Sequence, residues 1–299
     1  MSDTIRIGTR GSQLALWQAN ETSNRLTEIG YRTTIVTIKT TGDKRTDTSL
    51  ASIGGKGLFV KELEEALTRG EIDLAVHSLK DVPSLIPDTF VLAGFLERAD
   101  PRDAWVQRDG KLIADMPPGT VVGTSAPRRR AQLRARFPHL RLEEMRGNVD
   151  TRINKLRAGL FDGVILATAG LTRLGRAGEI TSHFDLDEMI PAAGQGIVAI
   201  ETRKDDATAR RAAGAINHAP SETAARVERG VLQKFGESLD CYSAVAVHAT
   251  INGEATVRAF FGEIDGDRAI RVKRSASNPD AVVQAVFDEL VDRGAMELL

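Results

Sequence analysis

LFVKELEEALTRGEIDLAVHSLKDVP, residues 58–83, settles the class of fold. Leu58, Phe59, Leu63 and Leu67 recur at helical spacing, and after Gly70 the apolar run of EIDLAVHS reads as a buried strand. Helix followed at once by buried strand is the signature of an α/β protein. The strand delivers HSLKDVP at its C-terminal end, the edge at which α/β proteins place ligands. There Asp81 precedes Val82 and Pro83, and the proline restricts the turn that carries the carboxyl group.

The same alternation extends outward on both sides. Upstream, TIRIGT (4–9) is a strand, Ser12 caps the helix 13–29 that Gly30 ends, and YRTTIVTIKT (31–40) is a strand by its β-branched content. The polar, Gly-rich residues 40–57 read as a long loop and as a mobile lid over a cleft. Downstream a second series begins near Asp100: strand TVVGTS (120–125), helix PRRRAQLRARF (127–137) with Pro127 in its first turn, and strand LRLEEM (140–145). Asn148 caps and Gly159 closes the next helix, and GVILATA (163–169) is apolar enough to be covered on both faces. After PAAGQG (191–196) come strand IVAIET, helix DDATARRAAGAI and a second helix SETAARVERGVLQKF. SAVAVHAT, EATVRAFFGE and AIRVKRSA then alternate as exposed antiparallel strands, and AVVQAVFDELV places Val282, Val286 and Leu290 on one helical face. The expected division is a first α/β lobe of residues 1–97 with 197–216, a second of 98–196, and a small C-terminal α+β domain of 217–299.

With 41% hydrophobic and 27% charged residues the chain has the balance of a soluble globular protein. No apolar run approaches the roughly 20 residues that span a bilayer. MSDTIRIGTR lacks the basic and apolar segments of a signal peptide, so the expected location is the cytoplasm, with a monomer as default. The net charge of −1 speaks against a general attraction to nucleic acid or membrane. Residues 128–176, however, carry eleven Arg and one Lys against four acids, a local excess of +8 that points to an anionic ligand. The fragment RRRAQLRAR alone is equally readable as a solvated helix face or a nucleic-acid patch. Arg128 and Arg129 follow Gly123, Thr124 and Ser125 at a helix start, where free backbone N–H groups favour anions.

Taken alone, Asp81 is readable as a turn carboxylate or helix cap as well as an acid–base group. Phe59 is either a stacking ring or core, and Gly194, Gln195 and Gly196 form a turn where the chain recrosses between lobes. Cys241 is the single cysteine, which excludes an intramolecular disulfide and leaves either a buried apolar residue or a nucleophile. The five histidines are scattered without ligand spacing, and no metal is expected.

Four segments form a set: GTRGSQLALWQ (8–18); GGKGLFVKELEEAL (54–67) with VHSLKDVP (76–83); GTSAPRRRAQL (123–133) with RGNVDTR (146–152); and PAAGQG (191–196). In order and spacing they resemble the porphobilinogen deaminases over nearly the whole chain. The resemblance implies two periplasmic-binding-protein-like α/β lobes plus the third domain, and the head-to-tail joining of four porphobilinogen units with loss of ammonia. It implies Asp81 as the catalytic acid and a dipyrromethane cofactor on Cys241 through a thioether. Cofactor contacts implied are Ser78, Lys80, Asp81, Thr124, Ser125, Arg128, Arg129, Arg146 and Gly147. Substrate contacts implied are Arg10, Ser12, Gln18, Lys56, Phe59, Arg146, Arg152, Arg173 and Gln195. SLDCYSAVAV replaces the family's usual Gly-Gly before the cysteine and proline after it, with Asp240 and Ala244 standing there instead, and Ala126-Pro127 replaces Ser-Leu. The competing readings are a solute-binding module without chemistry and a nucleic-acid-binding protein using residues 128–136.

Overall fold

The computed structural model describes residues 4–39, 60–239, 242–264 and 268–299. Among them the chain runs β1 (Ile5–Arg10), α1 (Gln13–Glu28), β2 (Thr33–Ile38), α2 (Lys61–Thr68), β3 (Leu74–Ser78) and β4 (Phe90–Phe95). It continues β5 (Asp103–Gln107), β6 (Val121–Gly123), α3 (Pro127–Arg136), β7 (Arg141–Glu143), α4 (Val149–Arg157), β8 (Gly163–Ala167), α5 (Thr168–Arg173) and β9 (Ser182–His183). The last part is β10 (Val198–Arg203), α6 (Ala207–Ala215), α7 (Ala219–Phe235), β11 (Ala244–Asn252), β12 (Glu254–Gly262), β13 (Ala269–Ala276) and α8 (Pro279–Asp292).

Two compact units result, residues 1–99 with 196–225 and residues 100–195 with 226–299. The first contains a five-stranded sheet in the order β2-β1-β3-β10-β4. Strand β1 is parallel to β2 and β3, whereas β10 is antiparallel to β3 and β4. Both faces are covered, as the apolar strands require. Ile7, Val76 and Ile200 pack with Ala19 and Leu26 of α1 and Ala209 and Ala213 of α6. On the other face Ala75 packs with Leu63 and Leu67 of α2, and Leu79 and Phe95 with Ala199 and Ala225.

The second unit repeats this topology in the order β7-β6-β8-β5-β9. Strand β6 is parallel to β7 and β8, and β5 is antiparallel to β8 and β9. In both sheets the antiparallel member is the strand with which the chain enters the unit after crossing from the other, β5 or β10. Trp105 is fully buried on one face, and there is space for its ring because residue 163 is glycine: a Cβ there would lie 1.8 Å from Trp105 Cη2. Gly163→Ala is therefore expected to cost about 1–3 kcal/mol. Thermal unfolding checks this, and a wild-type midpoint would contradict it.

The C-terminal strands form the antiparallel sheet β11-β12-β13. The sequence suggests exposed strands, but each face is covered over part of its length, with Glu254, Lys273 and Ser275 left exposed. Phe261 stacks against Phe235 of α7 at 4.7 Å, while Ala244, Ala246 and Phe260 pack with Ala131 of α3 and Ile190. Residue alternation identifies two faces, not what covers each, and the covering helix α3 lies more than a hundred residues upstream in the sequence.

Candidate active site

Because β1 and β3 are adjacent and parallel, their C-terminal ends bring Arg10–Ser12 beside Ser78–Asp81. Ser12 caps α1, its hydroxyl accepting from the Ala15 amide at 3.3 Å. Beyond Ser78 the chain takes one 3₁₀ turn, Leu79–Asp81, with Leu79 buried and Lys80 and Asp81 exposed. Buried Gln18 on α1 donates its side-chain amide to Ser78 Oγ at 2.7 Å, tying the helix to the strand end. One cavity results, lined by Arg10, Ser12, Gln18, Ser78, Asp81 and His77. Five of these six residues are expected from the sequence, and His77 is not. Its Nε2 lies 2.9 Å from Glu201 Oε2, and both side chains are buried. HSLKD presents His77 openly, but its partner lies on β10, more than a hundred residues away.

In the second unit the equivalent ends of β6 and β8 place Thr124, Ser125 and the start of α3 beside α5. Thr124 is buried, its backbone N–H donating to Glu143 O at 2.9 Å, and the Ser125 hydroxyl donates to Met145 O. Arg128 and Arg129 are each only 5% exposed, which removes them from any solvated helix face. Both converge on Asp103 of β5, which no local motif in the sequence marks. Arg128 donates to both Asp103 oxygens (2.6 and 3.1 Å), to Ile190 O and to Gln195 Oε1. Arg129 donates to Asp103 Oδ1 through Nε and Nη2 (3.1 and 2.6 Å) and to Ile165 O. Gln195, fully buried, donates to Asp103 and to Pro101 O.

Burial alone would raise the Asp103 carboxyl, but the two guanidinium groups outweigh it and hold the carboxyl well below the usual range. Burial lowers Arg129, opposed by Asp103 and reinforced by Arg128. A carboxyl depressed in the folded state contributes stability that is present above its unfolded value, about 4, and is lost as the pH falls through the folded one. Asp103→Asn, which leaves two buried guanidinium groups without their anion, should cost about 3–5 kcal/mol. Chemical denaturation of the two proteins should show the same difference at pH 7 and pH 5. A difference already closing between them would contradict this.

Arg146 and Gly147 lie on the turn before α4, and Arg152 in the first turn of that helix. Gly147 holds φ +113°, a conformation open to glycine. Arg146 pairs with Glu144 at 2.7 Å, and Arg152 Nε donates to Gly147 O at 2.8 Å. Arg173 is the last residue of α5. Lys56, Phe59, Cys241 and residues 40–57, for which a lid is expected from the sequence, lie outside the described residues. Among the described residues no group of three or more His, Cys, Asp or Glu side chains is placed to hold a metal, and no helix is long and apolar enough to cross a membrane.

An exposed carboxyl group on a strand-end turn, with serine, glutamine and arginine around it, is an arrangement able to do acid–base chemistry on a small anionic molecule. Residues 5–211 match the family model described as porphobilinogen deaminase, dipyrromethane cofactor binding domain. A porphobilinogen deaminase of Thiobacillus denitrificans is 45% identical over 99% of this chain and 98% of its own length. That of Trichlorobacter lovleyi is 46% identical over 97% and 92%, and that of Geobacter sulfurreducens 44% over 99% and 93%. The chain belongs to the porphobilinogen deaminase family. It is a transferase, a hydroxymethylbilane synthase of tetrapyrrole biosynthesis, and its cofactor is dipyrromethane. Among solved structures, a periplasmic substrate-binding protein of an ABC transporter from Coxiella burnetii aligns over 76% of this chain and 97% of its own, with 14% identity and a TM-score of 0.45. The methionine-binding protein MetQ aligns over 71% and 89%, with 15% identity and a TM-score of 0.45.

Proposed function

We propose that Asp81 is the acid–base group of the polymerisation, and that Arg10, Ser12, Gln18 and Ser78 present porphobilinogen to it. The observation that carries this reading is the single cavity that those five residues line. Departure of ammonia requires a proton on the amine nitrogen as the C–N bond breaks, and the carboxyl group of Asp81 supplies it. The carboxylate so formed faces the cation left on the substrate's methylene carbon and stabilises it. It then takes up the proton released when the new C–C bond forms, which restores the acid for the next unit. Lys80, Lys56, Arg152, Arg173 and Gln195 complete the substrate contacts, with Phe59 against a pyrrole ring.

Dipyrromethane is held by a thioether to Cys241 and through its carboxylates by Arg128, Arg129 and Arg146, with Ser78, Lys80, Thr124, Ser125 and Gly147 around it. What supports this is charge and the donors left over: two cations face one aspartate, and the bonds described leave one N–H group on Arg128 and two on Arg129. When bound, dipyrromethane supplies the nucleophilic pyrrole carbon from which the product grows. The chain acts as a cytoplasmic monomer in three domains, 1–97 with 197–216, 98–196 and 217–299, without a nucleic-acid partner. In support, Arg128 and Arg129 are occupied by Asp103 rather than turned to solvent.

The purified chain should release one ammonia per porphobilinogen consumed, and consumption without ammonia would overturn the assignment. Arg128→Leu and Arg146→Leu should stall at different stages, because cations at separate points meet the carboxylates of different rings. The check is the mass distribution of enzyme-bound intermediates under limiting substrate. Wild-type distributions in both variants would remove these arginines from the site.

A further inference from the structure

Arg10, Ser12, Gln18, Ser78 and Asp81 share the first-unit cavity with a sixth polar residue, His77. On β3 the neighbours of His77 face α1: Val76 packs with Ala19 and Leu26, and Ser78 is bonded to Gln18. His77 lies on the opposite face with Ala75, which packs beneath Leu63 and Leu67 of α2. Val60, immediately before α2, lines the same cavity, so the cavity is reached from that face too. Strand β10 sets Ala199 opposite His77 and Glu201 two residues further along, which brings Glu201 Oε2 to 2.9 Å from His77 Nε2. The Glu201 side chain is wholly buried, whereas that of His77 keeps 4% of its surface. An ionised carboxylate only accepts, so Glu201 assigns the ring hydrogen to Nε2 and leaves Nδ1 as an acceptor. Among the described residues, the ring's hydrogen bond is the one made by Nε2.

We propose that His77 is a second catalytic residue of this site: with Glu201 fixing its tautomer, Nδ1 accepts an N–H of the substrate's aminomethyl group and turns the nitrogen lone pair toward Asp81. The inference rests on the reading of Asp81 as the acid, and it adds the group that orients the leaving nitrogen. A primary amine has two hydrogens and one lone pair. One hydrogen goes to Nδ1, and the lone pair takes the proton from Asp81. As the C–N bond breaks, its electron pair stays with nitrogen, which leaves as ammonia, and the positive charge stays on the methylene carbon. His77 neither gains nor loses a proton. Its bond strengthens as the nitrogen becomes positive on the way to the transition state, so it favours the reaction over simple binding. The serine hydroxyls are less suited to this part, because Ser12 Oγ already accepts from the Ala15 amide and Ser78 Oγ from Gln18.

The test compares porphobilinogen with its methoxymethyl analogue in the intact holoenzyme. The analogue's oxygen can take the Asp81 proton and leave as methanol, but it has no hydrogen to give to Nδ1. His77→Phe keeps a ring and removes the acceptor. The ratio of kcat for porphobilinogen to kcat for the analogue should fall about tenfold, the loss expected for one hydrogen bond, while KM for porphobilinogen changes less. Glu201→Gln, whose amide can meet either tautomer, should lower the ratio in the same direction. Equal falls for both compounds in the two variants would show the pair to be structural only and overturn the proposal. If His77→Phe does not fold because Glu201 is left buried without its partner, the double variant His77→Phe/Glu201→Gln carries the same comparison. Nitrogen NMR of the holoenzyme reads the tautomer without turnover, with the His77 signals identified by their loss in the His77 variant. The hydrogen should sit on Nε2, and a hydrogen on Nδ1 would overturn the proposal as well. Asp81→Ala separates the two layers: wild-type turnover of both compounds would sink the reading of Asp81 itself. Loss of both in Asp81→Ala, with equal falls for both in His77→Phe, would sink the inference alone.

Discussion

Asp81→Ala should fold as wild type and lose nearly all turnover. Asp81 is exposed at the end of a 3₁₀ turn whose anchor is the buried Leu79, so removing the carboxyl group takes away no core contact. A positioned acid–base group contributes about 10² to 10⁴ in rate, and the loss should reach or exceed the upper figure if the same carboxylate also stabilises the substrate cation. Asp81→Glu should keep a small part of the activity, since the acid remains while its position shifts by one methylene. Ammonia release is the measurement. Near-normal release by the Ala variant would refute the role.

Cys241→Ala should be inactive for a different reason. A polymerising transferase needs a fixed primer, and the soft nucleophile that can hold one by a bond resistant to water is a thiolate. The chain has a single cysteine. The variant should therefore be lighter than wild type by the dipyrromethane as well as by the sulfur, and supplying more substrate should not restore it. The Asp81→Ala variant, in contrast, should still carry the dipyrromethane mass. Measured together, the two masses separate loss of chemistry from loss of primer.

Much of the local structure is legible in the sequence because it is locally determined. Ser12 and Asn148 cap the helices they are expected to cap, the Asn148 side chain accepting from the Thr151 amide at 2.9 Å, and Pro127 occupies the first turn of α3. Gly70, Gly159 and Gly30 stand at positive φ just beyond their helices. What is not legible is pairing at a distance. Strands β5 and β10 are recruited antiparallel into sheets whose other members are read as parallel, and residue pattern distinguishes a buried strand without naming its neighbour. Asp103 escapes notice for the same reason: its two arginines lie twenty-five and twenty-six positions further on and meet it only once β5 has joined β8. The first-unit cavity is readable because Arg10, Ser12 and Gln18 share one strand–helix turn and Ser78 and Asp81 another, each motif carrying its residues to the same sheet edge. The second-unit arginines are found as a cluster, but their burial and the anion that orders them belong to tertiary structure alone.

The most direct measurement is the intact mass of the freshly purified, active chain, followed by peptide mapping of any added mass. The account predicts the mass of the bare sequence plus one dipyrromethane, with the addition mapped to Cys241. A mass equal to that of the bare sequence in active enzyme, or an addition mapped to any other residue, would contradict it.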